Sequence, residues 1–158
     1  MRKPKVYLET TLFNFYFDEN RDAHVATVKL FKEIAAGKYE AFTSRYVVDE
    51  LSNAPEGKRE KMLNLILEFD IPVLEASDDA AKLAEIYVAE GIIPQKYRTD
   101  GLHIGIATVN DLDMVISMNF QHIVKRKTKM LTGNINALNG YRAVEIYNPM
   151  EVIDDAND

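Results

Sequence analysis

Short apolar runs that alternate with helix-like segments are the feature that most constrains how this chain can fold. The runs are "KVYL" at 5–8, "YEAFTS", "IPVLEAS", "DMVIS" and "AVEIY". "DMVIS" shows no alternation of polar and apolar residues, which is typical of a strand buried on both faces. Strands in turn with helices predict a layered α/β domain with a mostly parallel sheet.

The segments between these runs carry helix starts, helix stops and apolar faces at helical spacing. Candidate N-caps precede three of the apolar helical faces and also the segment after "YEAFTS". Glycine or proline follows several of these helical segments. The predicted helices are one capped by Asp22 and ending at Gly37, one capped by Ser44, one from about Lys58, one capped by Ser77 and ending at Gly91 and Pro94, one capped by Thr99 with a stripe of Leu102, Ile106 and Val109, and one around 128–138 ending at Asn139-Gly140.

Composition narrows the class of protein. The 158 residues, 47% of them apolar, predict a single globular domain over 1–153 with an acidic tail, "DDAND", at 154–158. The sequence contains no Cys, which excludes disulfides, thiolate zinc sites and Cys nucleophiles. No apolar run reaches the roughly 18 residues that a membrane span needs, so we expect no membrane contact and a cytoplasmic location.

The net charge of −6 means that a polyanion would need a local basic patch or a bound cation in order to bind. The densest basic cluster is "KRKTK", from Lys125 to Lys129. It could contact phosphates, because it follows the end of the predicted strand "DMVIS". A solvated helix start is the alternative interpretation.

Carboxylates are predicted at or near the carboxyl ends of strands, where open α/β sheets bind ligands. Glu9 ends the first strand, Asn119 lies just past "DMVIS", and Asp100 falls in the first turn of a helix. Glu50 lies on the helix that follows Ser44. Taken singly, Glu50 and Asp100 are more often surface or helix-start acids, but a charge such as Glu9 against a core strand is costly unless it is paired or bound to a cation. Clustered acids of this kind would suit Mg²⁺ or Mn²⁺.

Four motifs together resemble the PIN-domain family of Mg²⁺-dependent ribonucleases, which includes the VapC-like toxins of toxin–antitoxin pairs. The motifs are "VYLETTLFNFYF", "VVDEL", "TDGLHIGIA" and "DMVISMNFQHIVK", in matching order from Val6 to about Val124, and "NGYRAVEIYNPMEVI" is similar to the end of one subgroup. The resemblance implies a three-layer α/β/α domain with a mostly parallel sheet flanked by helices.

The resemblance also assigns residues to the family's site. Its first, second and third acidic positions fall on Glu9, Glu50 and Asp100, and its fourth falls on Asn119. The family usually has Asp at the first position and often at the fourth. Glu9 is one methylene longer and Asn119 brings no charge, so both differences should weaken metal binding relative to four acids. Thr10 matches the family's small hydroxyl neighbour.

If the site works as the family's does, the protein hydrolyses RNA phosphodiesters. Glu9, Glu50 and Asp100 would be metal ligands, Asn119 would complete the catalytic set, and Thr10, Lys125 and Arg126 would contact substrate. An antitoxin would be the partner. The helices at 22–36 and 58–69 could form its groove or a homodimer contact, although filling the core is the simpler account.

Two other functions stay open from the sequence. The first is a catalytically weak PIN-like protein that acts as an interaction module, which the Asn at 119, the Glu at 9 and the acidic charge favour. The second is a phosphatase of another α/β family. Against it, the first strand lacks an Asp-x-Asp pair, and there is no Gly-rich phosphate loop.

For the histidines, and for the aromatic residues after the first strand, we prefer a structural role to a functional one. His103 is interpreted as a partly buried helix residue with a local hydrogen bond, His122 as a packing residue, and His24 has no evident partner. Their spacing does not match a zinc site. The aromatics are expected to pack a short helix onto the core rather than stack on bases: Phe13, Phe15, Tyr16 and Phe17.

Overall fold

A parallel five-stranded sheet organises the part of the chain that this computed structural model describes, residues 2–119 and 125–154. The strands are β1 Lys5–Leu8, β2 Glu40–Ser44, β3 Val73–Leu74, β4 Met114–Ile116 and β5 Glu145–Tyr147. Their order across the sheet is β3-β2-β1-β4-β5, and each neighbouring pair runs parallel. The predicted α/β domain with a mostly parallel sheet is therefore confirmed.

Seven α-helices connect and flank these strands within the described residues. They are α1 Thr10–Phe15, α2 Ala23–Ala35, α3 Arg45–Leu51, α4 Glu56–Glu68, α5 Asp78–Ala89, α6 Arg98–Val109 and α7 Arg126–Leu138. Short 3₁₀ turns precede α6, at Gln95–Tyr97, and follow β5, at Pro149–Glu151. None of the helices in this part of the chain is both long enough and apolar enough to cross a bilayer.

Two of the predicted caps are confirmed, because each side chain accepts the backbone N–H that a cap should satisfy. Ser44 Oγ accepts from the amide of Val47 at 3.2 Å, and Ser77 Oγ accepts from the amide of Ala80 at 3.2 Å. Both serines have the extended backbone of a capping residue. The short helix predicted after the first strand is also present as α1.

Other local predictions were wrong for physical reasons that the structure shows. Asp22 precedes α2 but its side chain makes no cap hydrogen bond, since its backbone is already helical at φ −57° and ψ −36°. Thr99 is not a cap, because α6 begins one residue earlier, at Arg98, straight after the 3₁₀ turn. The run "IPVLEAS" gives only the two residues of β3, which lies at the edge of the sheet formed by the described residues and pairs with the end of β2.

The central strands are buried on both faces of the sheet. Val6, Tyr7 and Leu8 are each 0% exposed, and so are Val115 and Ile116. Successive residues of a strand point to opposite faces, so helices must cover both sides of the sheet. This burial fixes the ends of β1 and β4 rigidly, and those ends carry the candidate site.

Helix α6 lies unusually close to α5 because of a glycine. A Cβ atom built on Gly105 would lie 2.7 Å from the carbonyl oxygen of Ala80, a distance that real Cβ atoms do not reach. A buried hydrogen-bond network then ties α7 to both helices: Tyr87 on α5 donates to Asn136 Oδ1, and Asn136 Nδ2 donates to Thr108 Oγ1 at 3.1 Å. These contacts hold α5 and α7 against α6.

The amino ends of the strands are held by an ion-pair cluster. Asp113, just before β4, accepts hydrogen bonds from Arg2 at 2.9 Å, from Arg142 at 2.9 Å and from the amide of Lys5 at 2.7 Å. Arg142 also contacts the carboxylate of Asp111 at 2.9 Å. Although burial opposes it, these donors hold the pKa of Asp113 at about 2. This cluster lies at the opposite end of the sheet from the predicted site.

Candidate active site

The carboxyl ends of β1 and β4 meet where an open α/β sheet is expected to bind ligands. The chain proceeds from β1 to β2 on one side, whereas β4 occupies the other side of β1. Such a switch in strand order leaves a crevice beyond the carboxyl ends. Glu9 directly follows β1 and its amide donates to the carbonyl of Ile116 at 3.1 Å. Glu9 therefore lies at the crevice, as predicted.

Glu9 has two structural duties at this point. It is the N-cap of α1, and its Oε1 accepts from the amide of Thr11 at 3.0 Å, from the hydroxyl of Thr11, and from Ser117 Oγ at 2.8 Å. The side chain is only 3% exposed. All three of these hydrogen bonds end on Oε1. Thr11 thus orients the first acid, and Glu9 in turn caps α1.

Glu50 is brought to the same crevice by α3, which Ser44 starts directly after β2. Its Oε1 accepts from Thr10 Oγ1 at 2.6 Å and from His103 Nε2 at 2.8 Å. Its side chain is 36% exposed. Burial alone would raise the pKa of Glu50, but the hydrogen bond and charge of His103 and the hydrogen bond of Thr10 outweigh it, so the pKa is lowered. Glu50 is therefore an oriented carboxylate at neutral pH.

His103 differs from its sequence interpretation. The residue is 1% exposed rather than partly buried, and its partners are distant in the chain rather than local. Nε2 contacts Glu50, and Nδ1 lies 2.6 Å from the hydroxyl of Tyr7 on β1. Burial would lower the pKa of His103, but the hydrogen bond to Glu50 and the surrounding carboxylates, that of Glu9 foremost, raise it overall. A histidine on α6 thus joins the candidate site.

Asp100 lies in the first turn of α6, as predicted, and faces the other two acids. It is 8% exposed, and its Oδ2 is buried with no hydrogen-bond partner among the described residues. Burial, followed by the charge of Glu9, raises the pKa of Asp100 to about 6, and Glu50 contributes in the same direction. The three predicted acids are therefore close enough for their charges to act on one another.

The remaining predicted site residues have different placements. The side chain of Asn119 hydrogen-bonds the Asp100 carboxyl, and its amide donates to Ser117 Oγ at 2.9 Å. The hydroxyl of Thr10 is already used by Glu50. Lys125 is exposed and directly precedes α7, whose first residue is Arg126; the structure does not describe the Arg126 side chain.

The histidines outside the site are simpler to place. His24 Nδ1 lies 3.0 Å from the carbonyl oxygen of Phe15, so it has a partner that the sequence did not suggest. His122 lies outside the described residues, as do residues 155–158 of the predicted acidic tail. The aromatics after β1 pack on the core as expected, with Phe13 fully buried and Phe15, Tyr16 and Phe17 partly buried against it.

Four site residues were missed by the sequence reasoning: Tyr7, Ser44, His103 and Ser117. Three of them had a weak signal in the sequence. Tyr7 is the one residue of the apolar run "VYL" with a hydroxyl, and Ser117 closes "DMVIS" at the strand end level with Glu9. Ser44 was predicted as a cap, and the structure adds that its Oγ lies 2.7 Å from the Tyr7 hydroxyl.

Whether these residues suit a divalent cation can be judged from their oxygens. No three His, Asp or Glu side chains within 2–119 and 125–154 form a ready-made cage for a metal ion. Mg²⁺ does not need one, because it usually keeps several waters and takes one or two carboxylates. The Oδ2 of Asp100 is the atom that a hard cation would satisfy, and the nearby donors are carboxylate oxygens. The residues therefore fit a largely hydrated Mg²⁺ or Mn²⁺, and the ligand set Glu9, Glu50 and Asp100 stays a prediction.

Sequence comparisons give no relative: no model of a protein family matches the chain, and no curated protein matches it. Comparison with solved structures, in contrast, finds proteins that are similar to this chain. VapBC2 from Rickettsia felis, bound to a DNA fragment from its promoter, aligns with a TM-score of 0.57 at 12% identity over 91% of this chain and 98% of that chain. Two proteins of Mycobacterium tuberculosis also align, VapC20 and VapBC-5.

VapC20, a toxin that cleaves the sarcin–ricin loop, aligns with a TM-score of 0.55 at 11% identity over 74% of this chain and 92% of its own. VapBC-5, a member of the VapBC family of toxin–antitoxin systems, aligns with a TM-score of 0.51 at 20% identity over 91% of this chain and 98% of its own. At these identities the likeness concerns the fold. The sheet order, the flanking helices and these alignments agree that the chain has the PIN-like fold of the VapC proteins.

Proposed function

We propose that the protein is a Mg²⁺- or Mn²⁺-dependent endoribonuclease of PIN type and the toxin of a toxin–antitoxin pair. The observation that carries the proposal is the buried Oδ2 of Asp100, which has no hydrogen-bond partner within residues 2–119 and 125–154 and lies near the charges of Glu9 and Glu50. Clustered carboxylates at the carboxyl ends of a parallel sheet are costly for the fold alone. A solved neighbour of the same fold, VapC20, is a toxin that cleaves the sarcin–ricin loop.

Glu9, Glu50 and Asp100 would hold the cation directly or through water, and the amide oxygen of Asn119 would assist. When bound, the cation supplies positive charge that activates a water nucleophile and stabilises the phosphate in the transition state. The protein's own contribution is orientation.

Thr11 and Ser117 fix Glu9, while Thr10 and His103 fix Glu50, so both carboxylates are held in place before substrate arrives. Side chains that are locked by neighbouring hydrogen bonds lose little entropy when they bind a ligand. Both acids are thereby prepared for a cation before any substrate is bound.

The RNA substrate would be bound by a local basic surface, because the whole chain carries a charge of −6. Lys125 and Arg126 supply such charge at the start of α7, and Lys125 is exposed. The hydroxyl of Thr10 donates a hydrogen bond to Glu50. In this proposal Thr10 therefore contributes to substrate binding indirectly, because it fixes the carboxylate of Glu50. The product of the reaction would be RNA with a cleaved phosphodiester.

An antitoxin is the proposed partner, with a second copy of the chain as the alternative. The helices predicted to carry spare apolar positions do expose large side chains: Val25 on α2 is 71% exposed and Leu67 on α4 is 76% exposed. These are apolar atoms that a partner helix could cover. Two of the structural neighbours are toxin–antitoxin complexes.

The test is cleavage of single-stranded RNA with Mg²⁺ or Mn²⁺ by the wild-type protein, D100A and D78A. Asp78 is a matched control, because it also lies in the first turn of a helix, α5, but is exposed and outside the site. We expect D100A to lose cleavage and D78A to retain it. EDTA should stop the wild-type reaction.

Equal cleavage by D100A and wild type would contradict the proposed site. If the wild type neither cleaves RNA nor gains thermal stability from millimolar Mn²⁺, the interaction module becomes the better account. Binding to the native state alone raises stability by about 4 kcal/mol at a thousandfold excess over Kd, so a functioning site gives a clear thermal shift.

A further inference from the structure

A buried row of polar groups reaches Glu50 from beneath the site. Ser44 Oγ lies 2.7 Å from the hydroxyl of Tyr7, which lies 2.6 Å from His103 Nδ1, and His103 Nε2 lies 2.8 Å from Glu50 Oε1. An ionised carboxylate only accepts hydrogen bonds, so Nε2 is the donor to Glu50. The row links β2, β1, α6 and α3.

The members of this row are polar and are almost completely buried. Tyr7 and Ser44 are 0% exposed and His103 is 1% exposed. Polar groups in such places cost free energy unless they are hydrogen-bonded, and Phe or Leu would fill similar space without that requirement. The row ends on the one partly exposed acid of the site, which suggests that its role is to hold that acid.

Glu50 is the acid that most needs to be held. Its side chain is longer than that of Asp100, and it is 36% exposed, whereas Glu9 is nearly enclosed at 3%. Ordering a free Glu side chain costs up to about 2 kcal/mol of conformational entropy. The Tyr46 ring also packs edge-on against the imidazole of His103, with 5.6 Å between the ring centroids. The imidazole is thus fixed on several sides.

We propose that Tyr7 and His103 are positioning residues, which fix the Glu50 carboxylate toward Asp100 and Glu9 and thereby set the affinity of the site for a divalent cation. This inference rests on the proposed function. In this proposal Tyr7 acts indirectly: it holds His103, and His103 holds Glu50. Tyr7 itself is not expected to contact cation or substrate. Supporting hydrogen bonds behind a metal ligand are typically worth 10- to 100-fold in metal affinity.

The decisive variant is Y7F, which removes only the hydroxyl, compared with Y87F. Tyr87 is a matched control because it is also 0% exposed and also donates a buried hydrogen bond, to Asn136, outside the site. Both variants should lose thermal stability in EDTA. Titration with Mn²⁺, followed by the melting temperature, should then give an apparent Kd about tenfold weaker for Y7F and unchanged for Y87F.

A second pair tests the histidine. H103Q keeps a side-chain N–H that can reach Glu50, so it should recover part of the Mn²⁺ affinity that H103L loses. On RNA, Y7F should need more Mn²⁺ for half-maximal kcat and should keep its KM for RNA, because the substrate surface is unchanged. If H103L does not fold, Y7F against Y87F still decides.

The outcomes separate the two proposals. A Mn²⁺ Kd for Y7F equal to that of the wild type would overturn the positioning role and leave the nuclease proposal standing. A wild type with no thermal response to Mn²⁺ would overturn the metal site, and the positioning role with it.

Discussion

Removing the charge of Asp100 should stabilise the metal-free protein, even though it should destroy the proposed activity. The Asp100 side chain is buried and lies near Glu9, and these two causes raise its pKa from 3.8 to about 6. In D100N the buried group is neutral, so it is not repelled by Glu9. We therefore expect D100N to unfold at a higher temperature and urea concentration than wild type in EDTA at pH 8.

The magnitude and its pH dependence follow from the two pKa values. Between 3.8 and about 6 the native state binds more protons than the unfolded state, so the wild type loses stability as the pH rises through this window. At about 1.4 kcal/mol per pH unit the full penalty above the window is about 3 kcal/mol. The advantage of D100N should be small at pH 4 and about 1–3 kcal/mol at pH 8, since relaxation and water reduce such penalties.

Urea unfolding of both proteins at pH 4 and pH 8, with EDTA throughout, measures the difference. D78N is the control, because Asp78 is exposed in the first turn of α5 and should give no gain that grows with pH. A D100N that is no more stable than wild type at pH 8, or equally favoured at both pH values, would refute the electrostatic account of the site. Saturating Mn²⁺ should reverse the order, because only the wild type gains from it.

Two further predictions concern the scaffold, and both use the free energy of unfolding from urea titration. G105A should lose about 1–3 kcal/mol, because its Cβ would meet the Ala80 carbonyl at 2.7 Å. G133A on α7 should gain about 1 kcal/mol, because a Cβ there would meet no atom of the described residues within 4 Å. Equal effects would mean that α5 and α6 are not in close contact. D113N should lose about 1 kcal/mol at pH 7, less than the pKa of about 2 alone implies because exposed partners such as Arg142 are screened. That loss should vanish as the pH falls from 3.8 toward 2, where the wild-type carboxylate is protonated, and a loss unchanged at low pH would contradict the ion-pair assignment.

The fold could be predicted because its main determinants are local in the sequence. The uninterrupted apolar run in "DMVIS" gave a buried strand, and Ser44 and Ser77 gave helix starts, since each signal depends on a few neighbouring residues. The same locality explains the errors. Asp22 and Thr99 have the composition of caps, but the actual starts of α2 and α6 are decided by the turns before them.

The site could be predicted only in part. The positions of Glu9 and Asp100 follow from a strand end and a helix start, which the sequence marks. The contact of His103 with Glu50 joins residues 53 positions apart, and that of Tyr7 with His103 joins residues 96 apart. Such contacts depend on how α3 and α6 pack against the sheet, and no spacing along the chain encodes that packing.

The ion-pair cluster around Asp113 has a consequence for how this protein could change over time. It anchors the amino edge of the strands, while the acids with their repulsion crowd the carboxyl edge. Substitutions in the candidate site and substitutions that restore lost stability can therefore accumulate at opposite ends of the sheet, with little effect on one another. Laboratory evolution of the candidate site should begin from variants that are stabilised near Arg142.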